Sequence, residues 1–135
     1  MKIMRFSILL GLFATTLSLV ACTPIQEHDC RLQPGYDHRS HSASRLGRAL
    51  GQERFIFQAE PGMTEMKLRL AFKLSEGAVS WTYVDPAGEV RWQGMLQESG
   101  QWQQSREFPV EVGEWVLSIS SQEGVGSYDV CWLAG

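Results

Sequence analysis

An all-β fold is what this 135-residue sequence predicts: an antiparallel β-sandwich, jelly-roll-like, of about seven to eight strands, after an N-terminal signal helix. Three observations predict it. Apolar residues recur with period two from about Arg54 onward, turn residues punctuate that alternation, and no long helical period interrupts it. The composition, 44% apolar and 20% charged, excludes a collagen-like, coiled-coil or disordered chain. The expected organisation is a cleaved leader over 1–21, an N-terminal segment over 22–53 and a sandwich body over 54–135.

The leader comes first. Lys2 and Arg5 open it, and Phe6 to Val20 then carry no charge. Fifteen residues of helix rise about 22 Å, short of a bilayer core of about 30 Å, so a cleaved signal is favoured over a permanent span. Leu19-Val20-Ala21-Cys22 closes the run and resembles the lipobox of bacterial lipoproteins. The resemblance covers the first 22 residues. It implies a diacylglycerol on the Cys22 thiol, cleavage before it and acylation of the new amino group. Two or more chains make such an anchor stable. A lipid-anchored protein of the cell membrane or outer membrane is expected. Thr23, in place of the Asp that retains such proteins in the inner membrane, favours the outer membrane in a Gram-negative source.

With Cys22 acylated, Cys30 and Cys131 remain as a pair in an oxidising compartment. Their bridge would close a loop of 102 residues, whose entropy accounts for at most ~4.7 kcal/mol. A metal-ligating or nucleophilic thiol is the alternative, although no second Cys lies within three residues of either. Loss of Lys2 and Arg5 leaves 10 basic against 15 acidic residues, net −5. Residues 31–54 are net +3 and residues 55–135 net −6. The basic stretch either docks on its own acidic domain or lies against anionic lipid or glycan. A net negative chain is not expected to bind nucleic acid.

Residues 31–53 are the least legible. Pro34-Gly35 marks a turn, and Ser42 to Leu50 fits a short helix stopped by Gly51, an irregular strand or a loop. Phe55, Phe57 and Ala59 then share a strand face up to Pro61-Gly62. In Met66-Lys67-Leu68-Arg69-Leu70-Ala71-Phe72-Lys73-Leu74 the even positions are large and apolar and three odd ones cationic, giving one buried and one wet face. Val79, Trp81 and Tyr83 precede Asp85-Pro86-Ala87-Gly88, whose Pro and Gly suit a type I turn. Val90 and Trp92, Phe108 and Val110, then Trp115, Leu117 and Ile119 continue the alternation, and Tyr128, Val130 and Trp132 end it. Inward-facing neighbours force Cys131 outward, so its bridge would clamp the N-terminal segment over the outside or edge of the last strand.

Over Ala78 to Trp132 the body resembles small bacterial β-sandwich modules of the pre-peptidase C-terminal type. The matching stretches are the hairpin Trp81 to Gly88, the run Gly113 to Ile119 and the closing Gly126 to Val130. The resemblance implies an accessory or binding domain, with no site residue to carry over.

Catalytic constellations are not expected. The Gly-x-Ser-x-Gly elbow does not occur, and the histidines crowd into residues 28–41. His38 and His41, spaced His-x-x-His, could meet on one helical turn and hold a metal with His28 and Asp29 or Asp37, but the stretch 31–48 carries four arginines, so solvated loop histidines are expected. Glycines sit where hairpins need them rather than in a phosphate-cradling loop, so no cofactor is expected either. The acids read as solvated strand faces. Trp81, Trp115 and Trp132 read as core. Trp102, set in Gln101-Trp102-Gln103-Gln104, and Trp92 beside Arg91 are the candidates for an exposed ligand-binding ring. The expected function is therefore a non-enzymatic envelope lipoprotein that binds another envelope protein or component. The alternative is a surface-displayed carbohydrate-binding module using those aromatic residues.

Overall fold

Alternation of apolar residues commits most of the chain to strands, and hydrogen bonding joins them into one antiparallel sheet folded on itself. The computed structural model describes residues 30–46 and 51–135. The leader with its signal helix, Cys22 and His28 lie outside the described residues. Among the described residues there are six strands and no helix: β1 (His38–Leu46), β2 (Gly51–Ala59), β3 (Glu65–Val84), β4 (Val90–Leu96), β5 (Gly100–Pro109) and β6 (Gly113–Ala134).

The long strands β3 and β6 pair with each other from Met66↔Ala134 to Val84↔Val116. Each passes through both layers of a sandwich. In the first layer, β1 and β5 flank residues 126–134 of β6 and 65–74 of β3. In the second, β2 and β4 flank residues 113–121 of β6 and 79–84 of β3. Six continuous strands thus supply eight strand segments. The sequence shows the segments; their continuity across a corner is what it hides.

The corner has a local cause. The β3–β6 register shifts around Glu76, and the inward positions change from even (Met66 to Leu74) to odd (Val79 to Tyr83). β6 changes in the same way, from odd (Trp115 to Ile119) to even (Tyr128 to Ala134). Irregularities of this kind bend a strand and re-aim its side chains. Gly77 makes the bend possible. Its φ is +74°, and a Cβ there would stand 2.3 Å from the Glu123 carbonyl oxygen.

The predicted turns form, Pro34-Gly35 among them, where Tyr36 N–H donates to Gln33 O (3.0 Å). Gly88 N–H donates to Asp85 O (3.0 Å), while Asp85 Oδ1 accepts from Ala87 N–H and Glu89 N–H. Met63 N–H donates to Glu60 O (3.2 Å) around Pro61-Gly62. Of the stretch Ser42 to Leu50, read as a short helix, irregular strand or loop, residues 42–46 are strand, and residues 47–50 lie outside the described residues. β1, ahead of Arg54, joins the sheet by pairing with β6 along its whole length.

Aromatic rings fill the space between the layers. Phe57 stacks on Trp132 (5.2 Å between centroids), Phe72 on Trp81 (5.2 Å), and Tyr83 meets Phe108 edge-on (5.1 Å). Every one of these pairs joins one layer to the other. Trp81, Trp115 and Trp132 are core, as their alternation predicts.

Candidate functional site

A filled interior leaves recognition to the faces, and the outer face of the first layer is the one that gathers chemistry. Residues directly opposite on paired strands share a face. Across β1, β6, β3 and β5 that face reads Arg39, Leu133, Lys67, Glu107; then His41, Cys131, Arg69, Ser105; then Ala43, Asp129, Ala71, Gln103; and last Arg45, Ser127, Lys73, Gln101.

Cys30 and Cys131 form the expected disulfide, with S–S at 2.07 Å and Cα atoms 5.5 Å apart. Cys131 points outward because Val130 and Trp132 point in. The bridge, with Tyr36 and Leu133, makes a small apolar cluster outside the main core. Arg39 Nη1 donates to Cys30 O (3.0 Å), and Lys67 Nζ donates to Gln33 Oε1 (3.2 Å), so the N-terminal segment is tied down at several points. Of the two expected positions, outside or edge of the last strand, Cys30 takes the outside. β6 is an inner strand, flanked by β1 and β3.

Beside the disulfide lies an ion cluster that sequence reasoning missed. Arg69 Nη2 stands 3.2 Å from Asp129 Oδ1, and His41 Nε2 2.8 Å from Asp129 Oδ2. Arg69 and Asp129 are only 7% and 5% exposed, although alternation places both on the wet face. The explanation is steric. Ala43 and Ala71 flank Asp129 in register, and their short side chains let His41 and Arg69 lean in from the adjacent row. Asp129 therefore departs from the expectation that the acids are solvated.

His38 and His41 do not converge. They are three residues apart on a strand, so their side chains leave opposite faces. His38 Nδ1 instead meets Asp37 Oδ1 (2.6 Å). Among the described residues, no group of three or more His, Cys, Asp or Glu side chains is placed to hold a metal ion.

The two candidate ring platforms turn inward. Trp92 is 3% exposed, set edge-on to Trp81 with the Arg106 guanidinium 4.8 Å from its ring centroid. It has no open face for a sugar. Trp102 is half-buried and packs on Trp81 (4.6 Å) and Phe72 (5.9 Å). Its register with Phe72 puts it on the core side of β5, and the surrounding glutamines disguise this in the sequence. Gly94 opens space for the cluster: a Cβ there would stand 2.3 Å from Trp81 Cζ2.

Between the layers, the Tyr128 hydroxyl donates to Glu53 Oε2. Burial, reinforced by that bond and by the carboxylate charge, pushes the Tyr128 hydroxyl up to about 12. Burial raises Tyr83 as well. Tyr36, at the rim of the N-terminal segment, is raised by burial and then by the charges of Glu107 and Glu65.

No protein-family model and no curated protein sequence matches the chain. The likeness to pre-peptidase C-terminal modules therefore rests on residue pattern. Among solved structures, the chain is similar to the Clostridium perfringens CspB protease, with 17% identity and a TM-score of 0.51 over 70% of this chain. It spans about a quarter (25%) of that protein, so the likeness concerns one β-domain. Two further structures are similar at TM-scores too low to carry an argument. One is the Aeromonas hydrophila periplasmic lysozyme inhibitor PliG (0.44, 12% identity, 78% of this chain and 92% of that one). The other is a Bacillus endospore appendage of a disulfide-linked pilus family (0.43, 12% identity, 72% and 84%). At 17% identity the CspB likeness shows the β-sandwich fold alone and nothing about ligands.

Proposed function

We propose that the protein is a bacterial envelope lipoprotein, anchored by acyl chains on Cys22, whose β-sandwich acts as a non-enzymatic binding module for another envelope component. The observation that carries the reading is the pairing of the cysteines. Cys30 and Cys131 consume each other, which leaves Cys22, at the end of a charged-then-apolar leader, as the odd cysteine. An exported chain with one leftover thiol at a lipobox position is what lipidation accounts for. The cell membrane or the outer membrane is the proposed location.

The interior supports a role played by surfaces. Stacked rings occupy the space between the layers, so an interaction partner would meet an outer face or an edge. The glycan alternative is less favoured, since Trp92 is buried and the half-buried Trp102 packs on Trp81 and Phe72.

Intact mass of the protein purified in detergent tests the anchor. The expected result is a chain beginning at Cys22 with the added mass of two or three acyl chains. A bare thiol, or an N-terminus elsewhere, overturns it. Crosslinked capture from envelopes, comparing lipidated protein with an unlipidated Cys22→Ser form, then identifies the component bound.

A further inference from the structure

We infer that the outer face of the first layer docks on the anionic phospholipid leaflet holding the Cys22 acyl chains, with Arg45 and Lys73 taking headgroup phosphates. The inference rests on the proposed anchor and adds an orientation and a contact to it.

Charge is the first argument. Past Cys22 the chain is net −5, yet this one face carries Arg39, Arg45, Lys67 and Lys73 besides the Arg69 held by Asp129. Two cationic stretches distant in sequence, around 39–45 and 67–73, reach one surface because β1 and β3 pair with opposite sides of β6. Lys67 and Lys73 are the only lysines beyond the leader, and both are here. Asp129 does not offset these charges, since Arg69 and His41 already engage it. Glu65 and Glu107 lie at the end of the face near Lys67 and the N-terminal segment, where both act on Tyr36.

Geometry is the second. At the other end, Arg45 and Lys73 flank Ser127 in a single row that contains no acid. Their backbones are two strand spacings apart, about 9.6 Å. Both side chains are exposed, and neither forms an ion pair among the described residues. Between them lies a shallow depression of about 400 Å³, also lined by Asp129, whose carboxylate Arg69 and His41 already engage. Two cations facing each other across a shallow bowl suit a phosphate group, whose several oxygens accept charge-assisted hydrogen bonds.

The tether is the third. The disulfide holds Cys30 on this same face, and seven residues separate it from Cys22. Eight virtual bonds reach at most about 28 Å even when fully extended. The tether thus ends on the cationic face, where each cation brought to an anionic leaflet strengthens association about fivefold.

The two lysines provide the probe. The full lipidated protein is reconstituted into vesicles of phosphatidylcholine alone and of phosphatidylcholine with phosphatidylglycerol. It is then pulsed with an amine-acylating reagent and read by peptide mass spectrometry. The expected result is that labelling of Lys67 and Lys73 slows at least about fivefold on the anionic vesicles. High salt should restore it, because screening shortens the reach of the attraction. Arg45→Glu should restore most of the labelling too, whereas Arg54→Glu, on the second layer, should not.

Flotation with both vesicle types but equal labelling overturns the inference and leaves the anchor standing. Equal protection on both types, or in detergent, means that a second copy or another protein covers the face, and also overturns it. Failure to float with neutral vesicles overturns the anchor, and the inference with it.

Discussion

Arg69 on β3 and Asp129 on β6 meet at 3.2 Å on the outside of the sandwich, each less than a tenth exposed. An ion pair so far out of water is costly to break from one side, because the survivor keeps the desolvation penalty without its partner. Asp129→Ala should therefore lower unfolding free energy by about 3–5 kcal/mol. The double variant Arg69→Met, Asp129→Leu should recover most of that loss. Urea unfolding of the three proteins checks this, and an Asp129→Ala protein as stable as the parent would show the pair to be solvated.

The disulfide has a sequence separation of 101, so its reduction frees most of the described chain in the unfolded state. Reduction, or Cys30→Ser with Cys131→Ser, should destabilise the domain by up to ~4.7 kcal/mol. The N-terminal segment should come loose first, since the small cluster of Tyr36 and Leu133 is built around the bridge. Melting curves with and without reductant measure the first effect, and amide exchange over residues 31–37 the second.

Tyr128 makes stability depend on alkaline pH. Its folded value, about 12, lies above the ordinary value of 10.0, so the unfolded chain gives up the proton first. The associated stability is fully present below pH 10 and is lost as pH rises toward 12. Urea midpoints at pH 9 and 11.5 should fall in that order, and Tyr128→Phe should flatten the fall. Tyr83, also raised, preserves part of the slope.

Gly94 and Trp81 are matched in shape. A methyl at position 94 would enter the Trp81 ring, so Gly94→Ala should cost about 1–3 kcal/mol and alter near-ultraviolet circular dichroism. Trp102→Ala should destabilise as well, by about 3 kcal/mol or more, because its ring packs on Trp81 and Phe72. Unchanged stability in that variant would place Trp102 outside the core.

Much of the fold was legible because period-two alternation reports which side of a strand is buried. Met66 to Leu74, Trp115 to Ile119 and Tyr128 to Trp132 all face as their pattern predicts. β1 was obscure for the same reason. Its inward positions include Ser40, Ser42 and Ser44, which give no apolar rhythm, yet pairing with β6 makes it a strand. Gln101 to Gln104 hid half of β5 in the same way. The corner at Gly77 hides the continuity of β3 because the inward parity changes there.

Local chemistry alone decided several things: the extended backbone, the turns at Pro61-Gly62 and Asp85 to Gly88, and the outward direction of Cys131. These follow from residues within a few positions of each other, so the sequence carries them. Which outward residues become neighbours was decided only by tertiary pairing. Arg45 and Lys73 are brought astride Ser127, and His41 and Arg69 around Asp129, by contacts between segments tens of residues apart. Alternation tells each side chain which way to point; it contains no information about the strand that will lie beside it.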